Sequence, residues 1–492
     1  MTVNPKKLRP YDQPPKRRRS LIPSGPDSAA TGFFVAAALW LALATALGAL
    51  AIGLRLVDFS FSFPLGLFDL SFELDQRRVD YAFVNATVYG WLTNAGFAAV
   101  AFMTPRLLGR RLAMEPALNG ALAIWNLSLL GGIASLYVFD FGPNLPLTAF
   151  PWLIDGGLAL GALIVTGSFL ATAVTSLRTA YVSLWFAGVA LLGLLGLLGL
   201  NAGLGLLEFF LNLDELPTAL ASAYIERAVP TLWLLGMAYA TLHFVVPRAT
   251  AQPLASAGTA MLTFLTWLVL APVAGLSVLV DSSVPYVITS VGIVATILLV
   301  VPAALTVINL VQTMHGRWTA VFSLGTAAFA VVALAFLFGS SLLEAIRALR
   351  AVDLFVGGTD WDRGAFIWST YGTFTFAALA MGEYALPRML RRAWGGGFLS
   401  GAELWLAFGG ATVAGLALMG GGMAEASLLG QGIAPEAVDA GIMVYRAVAF
   451  LGFGMIALAG LAFLVNLFLM YTSGAPEDYA VPGQSATAAA GH

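Results

Sequence analysis

Apolar residues along this chain gather into runs of about 20, the length an α-helix needs to cross a hydrocarbon core. Short polar, Pro- or Gly-containing stretches separate them. The runs predict helices over 31–54, 79–104, 116–140, 150–173, 179–204, 217–246, 256–280, 284–312, 317–341, 364–386, 400–424 and 441–471. None alternates in polarity with the period of two that lipid-facing barrel strands need. A bundle of about twelve transmembrane helices is therefore expected, because a helix satisfies its own backbone in lipid.

Three of these runs end alike. Tyr89 to Arg106, Thr231 to Arg248 and Tyr371 to Arg388 each close on a Pro-Arg pair. Pro105, Pro247 and Pro387 lie 142 and 140 residues apart. With twelve spans they mark the second, sixth and tenth, which predicts a four-helix unit used three times. Counted back from the prolines, Tyr89-Gly90 matches Tyr371-Gly372 in phase, and Trp91 matches Trp233.

Composition fixes the solvent. Hydrophobic residues make up 59% of the 492 positions and charged residues 10%, so most of the chain faces lipid or other helices. Sixteen of the 24 Lys and Arg lie on one side of the predicted bundle, 6 on the other, and Arg227 and Arg446 lie inside spans. The positive-inside rule then places both termini in the cytoplasm. Residues 1–30 read as a basic, Pro-rich disordered arm able to touch anionic headgroups, 31–472 as the membrane domain, and 473–492 as a disordered tail. With no cysteine, thiolate metal sites and iron–sulfur clusters are excluded. Lipid is the evident partner, and nothing points to nucleic acid.

The pattern resembles subunit I of the haem–copper oxidase superfamily, the cbb3-type cytochrome c oxidases most of all. It covers about Phe33 to Met470: twelve spans in three units, the Pro-Arg endings, Thr359-Asp360-Trp361 with Gly364, Pro285 with Pro302, and Ile308-Asn309. The resemblance implies a bacterial-type inner membrane, a respiratory complex, other membrane subunits and a cytochrome c-containing partner. It also implies six histidines: two for a low-spin haem on helices two and ten, one for a high-spin haem on helix ten, and three for copper on helices six and seven.

Carried over from the prolines without gaps, those positions hold other residues. The helix-two ligand falls on Phe83, the helix-ten pair on Ala365 and Ile367, and the helix-six copper ligand on Arg227. The helix-seven stretch falls on Ser277, Val278, Leu279 and Val280. The chain's three histidines, His243, His315 and His492, match none of them, and His243 reads as a packing residue. No haem b or copper is therefore expected unless the family function is retained by other means, and no residue is assigned a catalytic role. Arg227 is expected to pair with Asp281, or with another acid, in place of the metal's charge. Glu344, Arg347, Arg350 and Asp353 read as a solvated amphipathic segment.

Two functions follow as expectations. One is an accessory subunit that keeps an oxidase fold without its cofactors. The other, which the resemblance implies directly, is an active terminal oxidase or nitric oxide reductase. A proton or ion transporter is a third reading, resting on acids in or near spans such as Asp155, Glu383 and Glu403.

Overall fold

The computed structural model describes residues 25–57, 59–64, 71–139, 144–211, 215–279, 282–322, 325–394 and 397–476. Most of the expected arm and tail, and with them His492, lie outside the described residues. Among the described residues, twelve long helical runs follow in chain order: α1 (Ser28–Leu56), α2 (76–108), α3 (Glu115–Leu136), α4 (Trp152–Thr179), α5 (Val182–Leu211), α6 (Leu216–Ala249), α7 (Ala257–Leu279), α8 (Tyr286–Met314), α9 (Thr326–Arg347), α10 (360–390), α11 (Gly397–Gly430) and α12 (Pro435–Ser473). All but α2 and α10 are long and apolar enough to cross a membrane. Those two open on charged residues and are interrupted by π-helical turns.

The helices α2, α6 and α10 pack on one another at the centre, and the other nine surround them, with α1 against α12 closing the ring. The inner three are buried on nearly all sides, as their runs Thr93–Pro105, Gly236–Pro247 and Thr375–Pro387 illustrate. Outer helices instead leave large apolar side chains such as Leu153, Val287 and Leu451 exposed, as lipid-facing surfaces require. After α1, a two-stranded hairpin, β1 (Phe61–Pro64) and β2 (Ser71–Leu74), pairs antiparallel. Arg78 holds it to the α3 end through Glu73 and the Leu136 carbonyl.

Helix boundaries depart from expectation at α9 and α12 among others. Helix α9 begins at Thr326 rather than 317, because Gly325 is extended and separates it from a short turn of helix, Trp318–Phe322. It runs on to Arg347 because its charges find partners there: Glu344 with Arg227, and Arg347 with Asp353 and Asp362. The segment expected to be solvated is thus half-buried and ion-paired. Helix α12 starts six residues early with Pro435 in its first turn, where a missing N–H costs nothing. Beyond α12, Ala475 accepts a hydrogen bond from the Ala393 amide at 3.0 Å, so the chain stays against the α10 end at least that far.

Candidate functional site

The Pro-Arg endings meet at one end of the bundle with approximate threefold symmetry. In each, the arginine folds back over an aromatic ring four residues earlier: Arg106 over Phe102 at 3.7 Å, Arg248 over Phe244 at 3.9 Å, Arg388 over Tyr384 at 3.6 Å. Each also donates to that residue's carbonyl, at 3.1, 2.8 and 2.6 Å. The proline removes a backbone donor, and a cation at a helix C-terminus is favourable. The three rings then touch edge to face, with centroids 6.1, 6.2 and 5.9 Å apart. Four residues past each proline the chain turns left-handed, at Gly109, Ala251 and Arg391. The next amide returns to the proline carbonyl, at 3.2, 3.0 and 3.2 Å.

The repeat continues inward. Each central helix has a π turn at the same phase: Ala86–Leu92, Val229–Leu234 and Trp368–Phe374. Such turns break the backbone ladder and often mark functional places. Between turns and aromatic triangle lies a cavity of about 30 Å³, lined by the same four phases of each helix, including Gly96, Thr241 and Met381. The Trp91 indole donates to Thr375 and the Trp233 indole to Thr93, both at 2.9 Å, so one unit reaches into the next. The shared Tyr-Gly also gains a reason. A Cβ on Gly90 would lie 2.7 Å from the Trp40 ring of α1, and one on Gly372 would lie 2.2 Å from the Phe336 ring of α9. In the second unit the roles reverse, and Leu232 sits over Gly193 of α5.

Symmetry fails in the interstices between central and outer helices. Trp125 on α3 donates to the Tyr89 carbonyl and Trp267 on α7 to that of Thr231, both at 2.9 Å. Both carbonyls lie in or beside a π turn, at the same phase. Each tryptophan stands twenty residues past its Pro-Arg proline; in the third unit that position is Ala407. A void of about 10 Å³ lies beside it, lined by Leu41, Tyr371, Ile456 and Gly460 among others. Aromatic rings fill most of this third interstice instead.

The residues singled out by the family pattern occupy these interstices and their rims. Phe83 is buried, with its ring 5.8 Å from Phe366, 5.4 Å from Phe453 and stacked on Tyr371 at 6.2 Å. Tyr371 in turn shares a hydrogen bond with Thr87 at 2.9 Å. Ala365 and Ile367 are also buried. Ser277 and Val278 lie in a 3₁₀ turn ending α7; the Ser277 hydroxyl donates to the Ala274 carbonyl at 2.8 Å, and Val278 is 46% exposed. Val280 and Asp281 lie outside the described residues. Arg227 pairs with Glu344 of α9 at 2.5 Å, the two side chains 21% and 29% exposed. Of the partners expected for Arg227, Asp281 or another acid, the pair seen among the described residues is with another acid, Glu344. Adjacent Glu226 turns away to accept the Leu147 amide at 3.0 Å.

A charge network that the sequence did not reveal covers the end opposite the Pro-Arg caps. Asp360, its side chain 2% exposed, accepts from Arg55 at 2.6 Å, Arg446 at 2.7 Å and Arg363 at 3.4 Å. Asp80 takes Arg363 at 2.5 Å and Arg55 at 3.3 Å, and Asp439 takes Arg446 at 2.9 Å. Glu425 accepts the Asp360 amide at 2.8 Å. The network ties α1, α2, α10, α11 and α12 together and balances their charges with protein carboxylates. His243 packs in the core, stacked on Phe186 at 5.5 Å with Nδ1 2.8 Å from the Tyr239 carbonyl. His315 is exposed. Among the described residues no three His, Cys, Asp or Glu side chains cluster as a metal site.

Three related four-helix units around a central trio of π-bulged helices define an all-α membrane protein of oxidase-subunit architecture. The chain belongs to the family described as cytochrome c and quinol oxidase polypeptide I, which matches residues 28–429. It is similar in fold to a haem–copper terminal oxidase solved as a dimer by cryo-electron microscopy. That likeness has 15% identity and a TM-score of 0.77, and covers 93% of this chain and 85% of the other. No curated protein matches the sequence.

Proposed function

We propose that this chain is a cofactor-free homologue of the catalytic subunit I, most like the cbb3 type, acting as a structural subunit of a respiratory-type membrane complex. The observation that carries this is the closed third interstice. Phe83, the helix-two ligand position, sits where the rings of Phe366, Tyr371 and Phe453 meet, and the void on the other side of Tyr371 is about 10 Å³. Pockets for organic ligands run to roughly 300–1,000 Å³. Phenylalanine and alanine also offer iron no lone pair, and haem must be held by a side-chain donor.

The copper positions fit no better. Arg227 carries a fixed positive charge and no acceptor, and its pairing with Glu344 answers locally for the charge a metal would bring. Isoleucine at 367 offers a haem iron no lone pair either, and the Ser277 hydroxyl is committed to the Ala274 carbonyl. No step of oxygen or nitric oxide chemistry is therefore derived through these groups. Reading α2 and α10 as spans restores twelve, with both termini cytoplasmic and other membrane subunits, a cytochrome c-containing one among them, packed on the apolar outer faces. The alternative, an active oxidase or nitric oxide reductase, rests on family membership alone, and fold does not carry activity without its site.

Purification from native membranes in mild detergent tests this role. The expected result is a complex of several membrane subunits containing this chain in fixed stoichiometry. A monodisperse single chain with no partners would contradict it.

A further inference from the structure

A cluster of oxygens on α10, α11 and α12, near the Pro-Arg end, is used by neither the symmetric frame nor the ligand positions. Glu383 stands four residues before Pro387, Ser400 and Glu403 one turn apart early in α11, and Asn466 late in α12. All four are buried, Glu403 and Asn466 completely. The hydrogen bonds run one way. The Asn466 amide donates to Ser400 Oγ at 3.2 Å, and Ser400 Oγ donates to Glu383 Oε1 at 3.4 Å. That spends the single Ser400 hydroxyl donor and one of the two Asn466 N–H groups. Both oxygens of Glu403 and Oδ1 of Asn466 are left with no hydrogen-bond partner, and neither carboxylate is in a salt bridge with a described residue.

A dry interior tolerates unpaired acceptors poorly, and an unpaired carboxylate least of all. Glu403 stands one helical turn from Ser400, which bonds Glu383, and the two acids lie within electrostatic reach of one another. A single proton would link two of these oxygens and leave the rest unmet. A hard dication takes several oxygen ligands of this mixed kind, carboxylate, amide and hydroxyl, and balances both acids. We propose that Glu383, Ser400, Glu403 and Asn466 form a binding site for one divalent cation of the calcium class. Magnesium, which keeps its waters and demands an octahedron, suits a side-chain cage of this kind less well. The site would tie α11 and α12 to α10, and it is independent of whether the chain holds haem.

The test uses the full-length protein in detergent, stripped with EDTA and then dialysed against calcium chloride or magnesium chloride. The expected result is one calcium retained per chain by elemental analysis, with an unfolding midpoint several degrees above the EDTA-treated sample. Magnesium should give a smaller rise. Glu403→Gln should abolish retention and the rise together, and Ser400→Ala should weaken binding about 10-fold. If Glu403→Gln fails to fold, wild-type retention and the Ser400→Ala shift still decide. Wild-type protein that retains neither ion, and unfolds alike in EDTA and calcium, would overturn the proposal in favour of a proton-sharing pair.

Discussion

The two halves of this bundle treat the same threefold plan differently. At the Pro-Arg end the three units are interchangeable: aromatic, proline, arginine and left-handed turn recur in register, and three rings meet on the axis. Around the π turns they are not. Trp125 and Trp267 fill two interstices, and in the third, where Ala407 replaces the tryptophan, Phe83 packs on Tyr371 and Phe453. The symmetric end does a task common to all three units, joining the central helices. The asymmetric half is where each interstice was free to acquire its own contents, and where the family's ligand positions fall.

That contrast can be broken from the symmetric side first. Phe244→Ala removes one ring of the triangle and uncovers Arg248, and should cost about 3–5 kcal/mol, as large-to-small core changes do. Unfolding in detergent should report the same loss, within error, for Phe102→Ala. Next, Gly372→Ala drives a methyl into Phe336 and should cost about 1–3 kcal/mol by overpacking. Gly193→Ala, facing Leu232 at 3.3 Å, should cost visibly less.

On the asymmetric side, Arg227→Met leaves Glu344 without its partner. Because both side chains are partly exposed, about 1–2 kcal/mol is expected rather than the full penalty of a buried pair. Trp267→Phe keeps most of the ring but strands the Thr231 carbonyl, for about 1–2 kcal/mol; Trp125→Phe should match it. The smallest effect is a gain. Ala251→Gly relieves a left-handed alanine and should stabilise by about 0.5–1 kcal/mol, less the flexibility that glycine adds to the unfolded chain. Gly109→Ala should run the opposite way.

The Pro-Arg spacing made the units and the ligand register legible, because a period near 140 residues survives without any knowledge of contacts. The partner of each arginine was nearly legible too: Phe102, Phe244 and Tyr384 stand at one spacing, but an aromatic residue in an apolar run gives no signal of its own. The π turns left none, since they use the same residue types as the helices around them. Arg227 was readable as a charge needing an acid, whereas Glu344, 117 residues away, could be found only once α9 lay beside α6. Asp360 stood in the sequence as part of a family-like triplet. Its three arginines come from α1, α10 and α12, and only folding brings them together.

An absorption spectrum of the purified, natively folded protein, taken with iron and copper analysis of the same sample, tests the central claim most directly. Filled interstices predict no Soret band and neither metal in stoichiometric amount. A Soret band with one or more haems per chain would contradict the account, because iron would then be held by residues other than Phe83, Ala365 and Ile367.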